Sequence, residues 1–184
     1  MIIKQKIRNI STRVPVWVSA IPMVILFTIL TFVLIPNLQK LIGNMQLLDT
    51  SFGGYDAAYV HQLFDKLGNN GRKAYLSMEL FADIPFICLY VLTFTTIIIR
   101  LLLKNDQWNS VLSYSLLLPV FAGIFDLIED IGIIGMLVNK ELISTGVWKL
   151  TAVCTNLKGL LLGLTFLAML LQLVGLGLNR IRKY

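Results

Sequence analysis

Read for its alternation of apolar and polar positions, the chain divides into four long apolar runs joined by three more polar segments. A helix needs about 20 residues to cross the hydrocarbon core of a bilayer, and each run supplies that length. The pattern predicts spans at Trp17–Pro36, Ser77–Leu103, Val111–Val138 and Val147–Leu178. The last three exceed the minimum, which implies tilt or extension past the bilayer surface. The connections KNDQWN and NKELISTG are short, so spans 2 and 3, and spans 3 and 4, are expected to be antiparallel neighbours. The fold class expected is all-α: one integral membrane domain over residues 1–184, built as a four-helix transmembrane bundle. The first run follows basic residues, as the core of a signal peptide would. Its apolar stretch is too long for one and no small-x-small cleavage pattern follows, so a retained span is expected.

The connection between spans 1 and 2, residues 37–76, is far longer than a connector requires, and such loops tend to be folded or functional. In LQKLIGNMQLL, Leu38, Leu41, Ile42, Met45 and Leu48 recur at helical spacing, as if span 1 continued beyond Pro36. After the Gly53-Gly54 break, YDAAYVHQLFDKLG sets Tyr59, Val60, Leu63, Phe64 and Leu67 on one face, with Gly68 as a C-terminal stop. The pattern predicts a short amphipathic helix on the outer surface, either roofing the bundle or lying on the membrane without a role of its own.

Within the spans, exceptions to the apolar pattern are few and are not scattered. Five of the ten acids fall there, namely Glu79, Asp83, Asp126, Glu129 and Asp130, and Lys158 is the one basic residue well inside a span. An ionised side chain at mid-bilayer costs about 2.5–3.5 kcal/mol even on insertion scales, so these groups must face inward or toward water. Helical spacing lets them do so together. Glu79 and Asp83 head a stripe on span 2 that continues through Tyr90 and Thr93. Asp126, Glu129 and Asp130 share a face of span 3, with Pro119 and Gly123 beneath them. Thr151, Thr155, Lys158 and Thr165 follow the same spacing on span 4, with Asn156 nearby. At about 1.5 Å of rise per residue, Asp126 and Lys158 lie at matching depth, and Asp83 and Glu79 lie shallower. The expected result is an acidic pocket opening outward beneath the long loop, with a Lys158–Asp126 pair at its base.

Composition agrees with the membrane class. Hydrophobic residues make up 57% of the chain and charged ones 14%, and the mean hydropathy is +0.78; soluble domains are nearer half apolar and a quarter charged. With an inside N-terminus, nine basic residues fall inside: Lys4, Lys6, Arg8, Arg13, Arg100, Lys104, Arg180, Arg182 and Lys183. The much longer outer segments hold six, which places both termini in the cytoplasm. The net charge of +6 is then mostly a flank bias suited to anionic lipid headgroups, and no nucleic-acid partner is needed to explain it. The expected location is a plasma membrane, or the inner membrane if the protein is bacterial.

The chemistry the chain lacks narrows the reading. Cys88 and Cys154 are read as small buried hydrophobes without a CxxC, and His61, the sole histidine, as a loop-packing residue. Without intramembrane histidine a Glu-x-x-His di-iron bundle is disfavoured. No phosphate loop, nucleophile elbow or zinc spacing occurs, so no cofactor or metal is expected; carboxylates holding a hard cation stay open, though no ligand spacing marks them. Gly159-Leu-Leu-Leu-Gly163 fits a small-xxx-small packing face.

The segment MELFADIPFICLY, with Glu79 and the Pro85-Phe86 pair, resembles the second span of EXPERA-type proteins, the emopamil-binding and sigma-2-receptor-like family. The resemblance covers about one span plus the general layout. It implies a small multi-span protein whose intramembrane acids line a pocket for sterols or cationic amphiphiles, with Glu79 as a pocket acid.

The candidate catalytic groups are therefore Asp83, Asp126, Glu129, Asp130 and Lys158, and the candidate ligand contacts are Glu79, Tyr90, Thr155, Asn156 and Arg72. The leading expectation is a pocket for an amphiphilic molecule, lipid-like or cationic, with proton transfer among the acids as its chemistry. Two alternatives stand beside it. One is ion or proton translocation. The other is an accessory subunit or homo-oligomer whose buried charges serve assembly.

Overall fold

A computed structural model of the protein describes residues 15–181. The basic residues Lys4, Lys6, Arg8, Arg13, Arg182 and Lys183, on which much of the sidedness argument rests, lie outside the described residues. The described chain is all-helical and contains no strand. Four of its helices are long and apolar enough to cross a membrane: Trp17–Leu41, Ala57–Lys104, Val111–Val138 and Val147–Leu178. This is the architecture of a multi-pass membrane protein.

The first span is α1 (Trp17–Ile29), a π turn (Leu30–Leu34) and α2 (Ile35–Leu41). The second is α3 (Ala57–Met78), a π turn (Glu79–Asp83) and α4 (Ile84–Lys104). Each π turn ends one residue before an Ile-Pro pair, Ile35-Pro36 and Ile84-Pro85. Proline has no N–H and its ring crowds the carbonyl four residues back, so the helix must widen or kink there. Here it widens: the N–H of Ile35 bonds the carbonyl of Leu30, and that of Ile84 bonds the carbonyl of Glu79, each five residues away.

Span 1 continues beyond Pro36, as the spacing in LQKLIG suggests, and span 2 starts well before Ser77. Span 1 carries its helix to Leu41 before Gly43 and Asn44 turn the chain at positive φ. Span 2 is helical from Ala57, with one break at Gly68, whose φ of 60° glycine adopts at least cost. Asp56 starts it, accepting the N–H of Tyr59 at 2.7 Å. Gly68 thus ends the amphipathic segment as expected, yet the helix resumes at once through the polar stretch NNGRK.

Span 3 is a 3-10 stretch (Val111–Leu116) followed by α5 (Leu117–Val138); a short α6 (Glu141–Ser144) leads into α7 (Val147–Ile181), which is span 4. Spans 3 and 4 pack along each other, and span 2 packs against both. Gly132 lets α5 approach Thr151 of α7 so closely that a Cβ there would collide with the threonine methyl. Span 1 lies outside this trio against span 2, and most of its apolar side chains, such as Trp17, Val24 and Phe32, are exposed to where lipid would be.

The loop end of the bundle is closed by packing. Val60, Leu63, Phe64 and Leu67 of α3 are buried together with Leu47 and Leu48 of the loop and Ile133, Met136 and Leu137 of α5. Burying an aliphatic or phenyl side chain of this size is worth about 1.5–3 kcal/mol against exposure to water, which holds the amphipathic helix across the end of spans 2 and 3.

Candidate functional site

The inward face of the three packed spans carries the charged residues singled out in the sequence. Asp126 and Lys158 meet across spans 3 and 4, with Oδ1 2.6 Å from Nζ, and Lys158 also lies 2.9 Å from Glu129 Oε2. Tyr90 of span 2 donates its hydroxyl to the other oxygen of Asp126 at 2.9 Å, and Thr155 donates to Glu129 Oε1 at 2.8 Å. Three helices are therefore tied through one buried network, in which each of the two carboxylates also accepts a hydroxyl hydrogen bond. Such a pair tolerates removal of one partner poorly, because the other charge stays buried.

The remaining acids form the opposite half. Carboxylate oxygens of Asp83, Asp126 and Asp130 lie within 4.8 Å of one another. Those of Asp83, Glu79 and Asp49 do the same. Glu79 and Asp130, both fully buried, find no hydrogen-bond donor among the described residues for any of their four oxygens. Glu79 and Asp83, four residues apart, share this side as helical spacing expects, while Phe81, between them, is 77% exposed to the exterior.

Asp49 is the residue that sequence reasoning missed. It sits on a 3-10 turn (Leu48–Thr50) where the long loop dips into the bundle, and it is buried. Tyr75 serves as its post: the Tyr75 hydroxyl accepts the N–H of Leu48 at 3.1 Å and donates to Asp49 Oδ1 at 3.0 Å. Burial raises the Asp49 carboxyl above the ordinary aspartate range, with the Lys158 charge and the Tyr75 hydrogen bond pulling the other way. The signal was faint but present, since Leu47-Leu48 ahead of Asp49 is an apolar pair with no place on an exposed loop.

The rest of the loop is pinned to span 4. Tyr55 donates to Thr151 Oγ1 at 2.6 Å, and Asn156 accepts the N–H of Gly53 at 3.1 Å. Burial raises the Tyr55 phenol, keeping it a neutral donor. These contacts correct two expectations. Asn156 is an exposed fastener for the loop and does not line the acid cluster. The cluster itself does not open outward: the loop covers it, and none of its six acids is more than 8% exposed.

A third correction concerns Arg72. Its guanidinium donates to the carbonyl of Gly68 at 3.3 Å and to Asn69 Oδ1 at 2.6 Å, so it folds back along its own helix, away from the acids. Helical rotation decides this: Gly71 and Tyr75 of α3 face inward, which turns Arg72 aside. Asp83, Asp126, Glu129, Asp130, Lys158, Glu79, Tyr90 and Thr155 are brought together as expected.

An apolar groove abuts this network from the side, separated from the charges by the Tyr90 ring. This groove of about 330 Å³ opens between spans 1, 2 and 4, lined by Val24, Phe27, Phe86, Tyr90, Phe94 and Phe166 among others. Its aromatic rings form a continuous row, with centroids 6.0 Å apart for Phe27–Phe86, 5.4 Å for Phe86–Tyr90, 5.9 Å for Tyr90–Phe94 and 5.1 Å for Phe94–Phe166. Tyr90 belongs to both the groove and the charged network.

Comparison with known proteins gave no match: no family model fits the chain, and no curated protein or solved structure is significantly similar to it.

Proposed function

We propose that this multi-pass membrane protein binds an amphiphilic small molecule, lipid-like or cationic, that enters sideways from the bilayer. The apolar tail would occupy the aromatic groove, and the polar head would meet Tyr90 and the Asp126–Lys158 pair behind it. The observation that supports this reading is the double role of Tyr90, whose ring lines the groove and whose hydroxyl bonds Asp126. The groove itself is wholly apolar, so a polar head would reach Asp126 only by displacing the Tyr90 ring that stands between them. The excess of acids over Lys158 favours a cationic or hydroxyl head over an anionic one. Proton exchange between the head and Asp126, with Lys158 and Glu129 sharing the charge, is the chemistry that suits these partners. The EXPERA-like reading of MELFADIPFICLY points the same way. On this reading the termini face the cytoplasm and the loop lies outside.

Translocation is less well supported. A polar path from the acids toward Asn105 and Gln172 would have to pass Ile98, Leu102 and Met169, which are buried and packed together.

The test is photolabelling of the protein in nanodiscs with a diazirine-bearing alkyltrimethylammonium probe, mapped by mass spectrometry. Labelling is expected to concentrate on peptides holding Phe27, Phe86 and Phe166, and to fall when Phe166→Trp fills the groove. Labels spread evenly over the lipid-facing surface, unchanged in Phe166→Trp, would overturn the proposal.

A further inference from the structure

The two halves of the acid cluster are unequal in charge. Asp126 and Glu129 share Lys158, at 2.6 and 2.9 Å. Asp49, Glu79, Asp83 and Asp130 make no ion pair among the described residues, although all four are buried. Buried carboxylates are kept only when paired, hydrogen-bonded, protonated or bound to a metal. Asp49 has Tyr75. Glu79 meets only another acceptor: both of its oxygens lack a hydrogen-bond donor among the described residues, it is 0% exposed, and the carboxyl it lies against, that of Asp130, lacks a donor as well. Glu79 contributes to the space where oxygens of Asp49, Glu79 and Asp83 come within 4.8 Å of one another, while Asp130 comes that close to Asp83 and Asp126.

We propose that Asp49, Glu79 and Asp83 form a binding site for one hard divalent cation. Hard divalent ions take oxygen ligands at about 2.0–2.6 Å, so ligands on opposite sides of one ion stand roughly twice that apart. The observed oxygen separations fit that span. The three ligands come from two elements: the loop turn brings Asp49 and the π turn brings Glu79 and Asp83. Chain spacing carries no metal signature because the set is assembled by the fold. The Lys158 half would repel a second ion, which sets the stoichiometry at one. This site is independent of the aromatic groove, and either can fail alone. Because Asp49 belongs to the loop, the ion would also fasten the loop over the cluster.

The experiment uses the full chain in nanodiscs. Mn²⁺ binding is followed by loss of the free-ion EPR signal, Ca²⁺ and Mg²⁺ by competition, and hydrogen exchange is read over Leu47–Ser51. One Mn²⁺ per chain is expected, displaced by Ca²⁺ or Mg²⁺, with exchange in the loop slowed when the metal is bound. Glu79→Gln and, separately, Asp49→Asn should each weaken Mn²⁺ binding at least about tenfold, since even residues one step removed from a metal alter affinity by that much. Phe166→Trp should leave it unchanged. Wild-type protein that binds no Mn²⁺ and shows no metal effect on loop exchange would overturn the proposal without any variant being needed. So would binding that survives both carboxylate replacements.

Discussion

The two π turns, Leu30–Leu34 in span 1 and Glu79–Asp83 in span 2, use one backbone device in two settings. LTFVLIP and ELFADIP have phenylalanine at the third position and Ile-Pro at the end. Phe32 is 71% exposed and Phe81 77%, while the first residue of each turn, Leu30 or Glu79, is buried. The proline sets the shape, and the shape sends the first residue inward and the third outward. What differs is the neighbourhood. Leu30 packs in an apolar cluster beside span 2, whereas Glu79 faces span 3 and the loop, where other carboxylates gather. The acids are thus not what makes the turn; the turn is a general proline response, and in span 2 it has been given polar cargo.

The comparison can be broken most severely at Lys158, whose ammonium pairs with Asp126 and Glu129 beside the second turn. Lys158→Met strands Asp126 and Glu129, and loss of one partner from a buried pair costs about 3–5 kcal/mol. Chemical unfolding in detergent should show that loss, and adding Asp126→Asn should recover much of it; stabilities that simply add would remove the proposed coupling. Next in size is a pair of single-residue deletions that return each turn to α-helical register. Deleting Ala82 rotates Glu79 by about 100° relative to α4. That turns a carboxylate toward lipid at about 2.5–3.5 kcal/mol. Deleting Val33 rotates apolar residues only and should cost under about 1 kcal/mol on the same scale. Equal losses from the two deletions would mean that the neighbourhoods do not matter.

Smaller effects sharpen the contrast. Tyr55→Phe removes the 2.6 Å bond that fastens the loop near the second turn and should cost about 0.5–1.5 kcal/mol in the same assay. The exposed Asp65–Lys140 pair, at 2.9 Å, is the control far from both turns. Lys140 holds the Asp65 carboxyl below its ordinary value, so its small contribution is present above about pH 4 and fades as pH falls through the depressed value. Asp65→Asn should therefore leave the Tm near neutral pH unchanged within error, as exposed pairs usually do.

Four spans and their polar faces were legible in the chain because both follow from local rules. Length and hydropathy locate a span, and the spacing of Asp126, Glu129 and Asp130 fixes their shared face whatever the neighbours are. Span ends were less legible. NNGRK reads as loop, and the helix continues through it because Gly71 and Tyr75 face inward against packed neighbours. Asp49 could not be placed, since its burial depends on Tyr75, 26 residues away. Arg72 was misplaced because charge complementarity suggested a partner that helical rotation denies it. A roof over the bundle was one of two readings of the loop, but that it shuts the acids in was not legible, because closure arises from Gly53 and Tyr55 meeting span 4 about a hundred residues later.

The loop connects spans 1 and 2 but is buttoned to span 4, through Tyr55–Thr151 at 2.6 Å and Gly53–Asn156 at 3.1 Å. A slide of α7 by one helical turn, about 5.4 Å, exceeds what either bond can stretch. Moving that helix along its axis therefore drags the lid or tears it free, while also carrying Lys158 past Asp126. Unroofing the chamber and discharging its ion pair are, mechanically, one stroke.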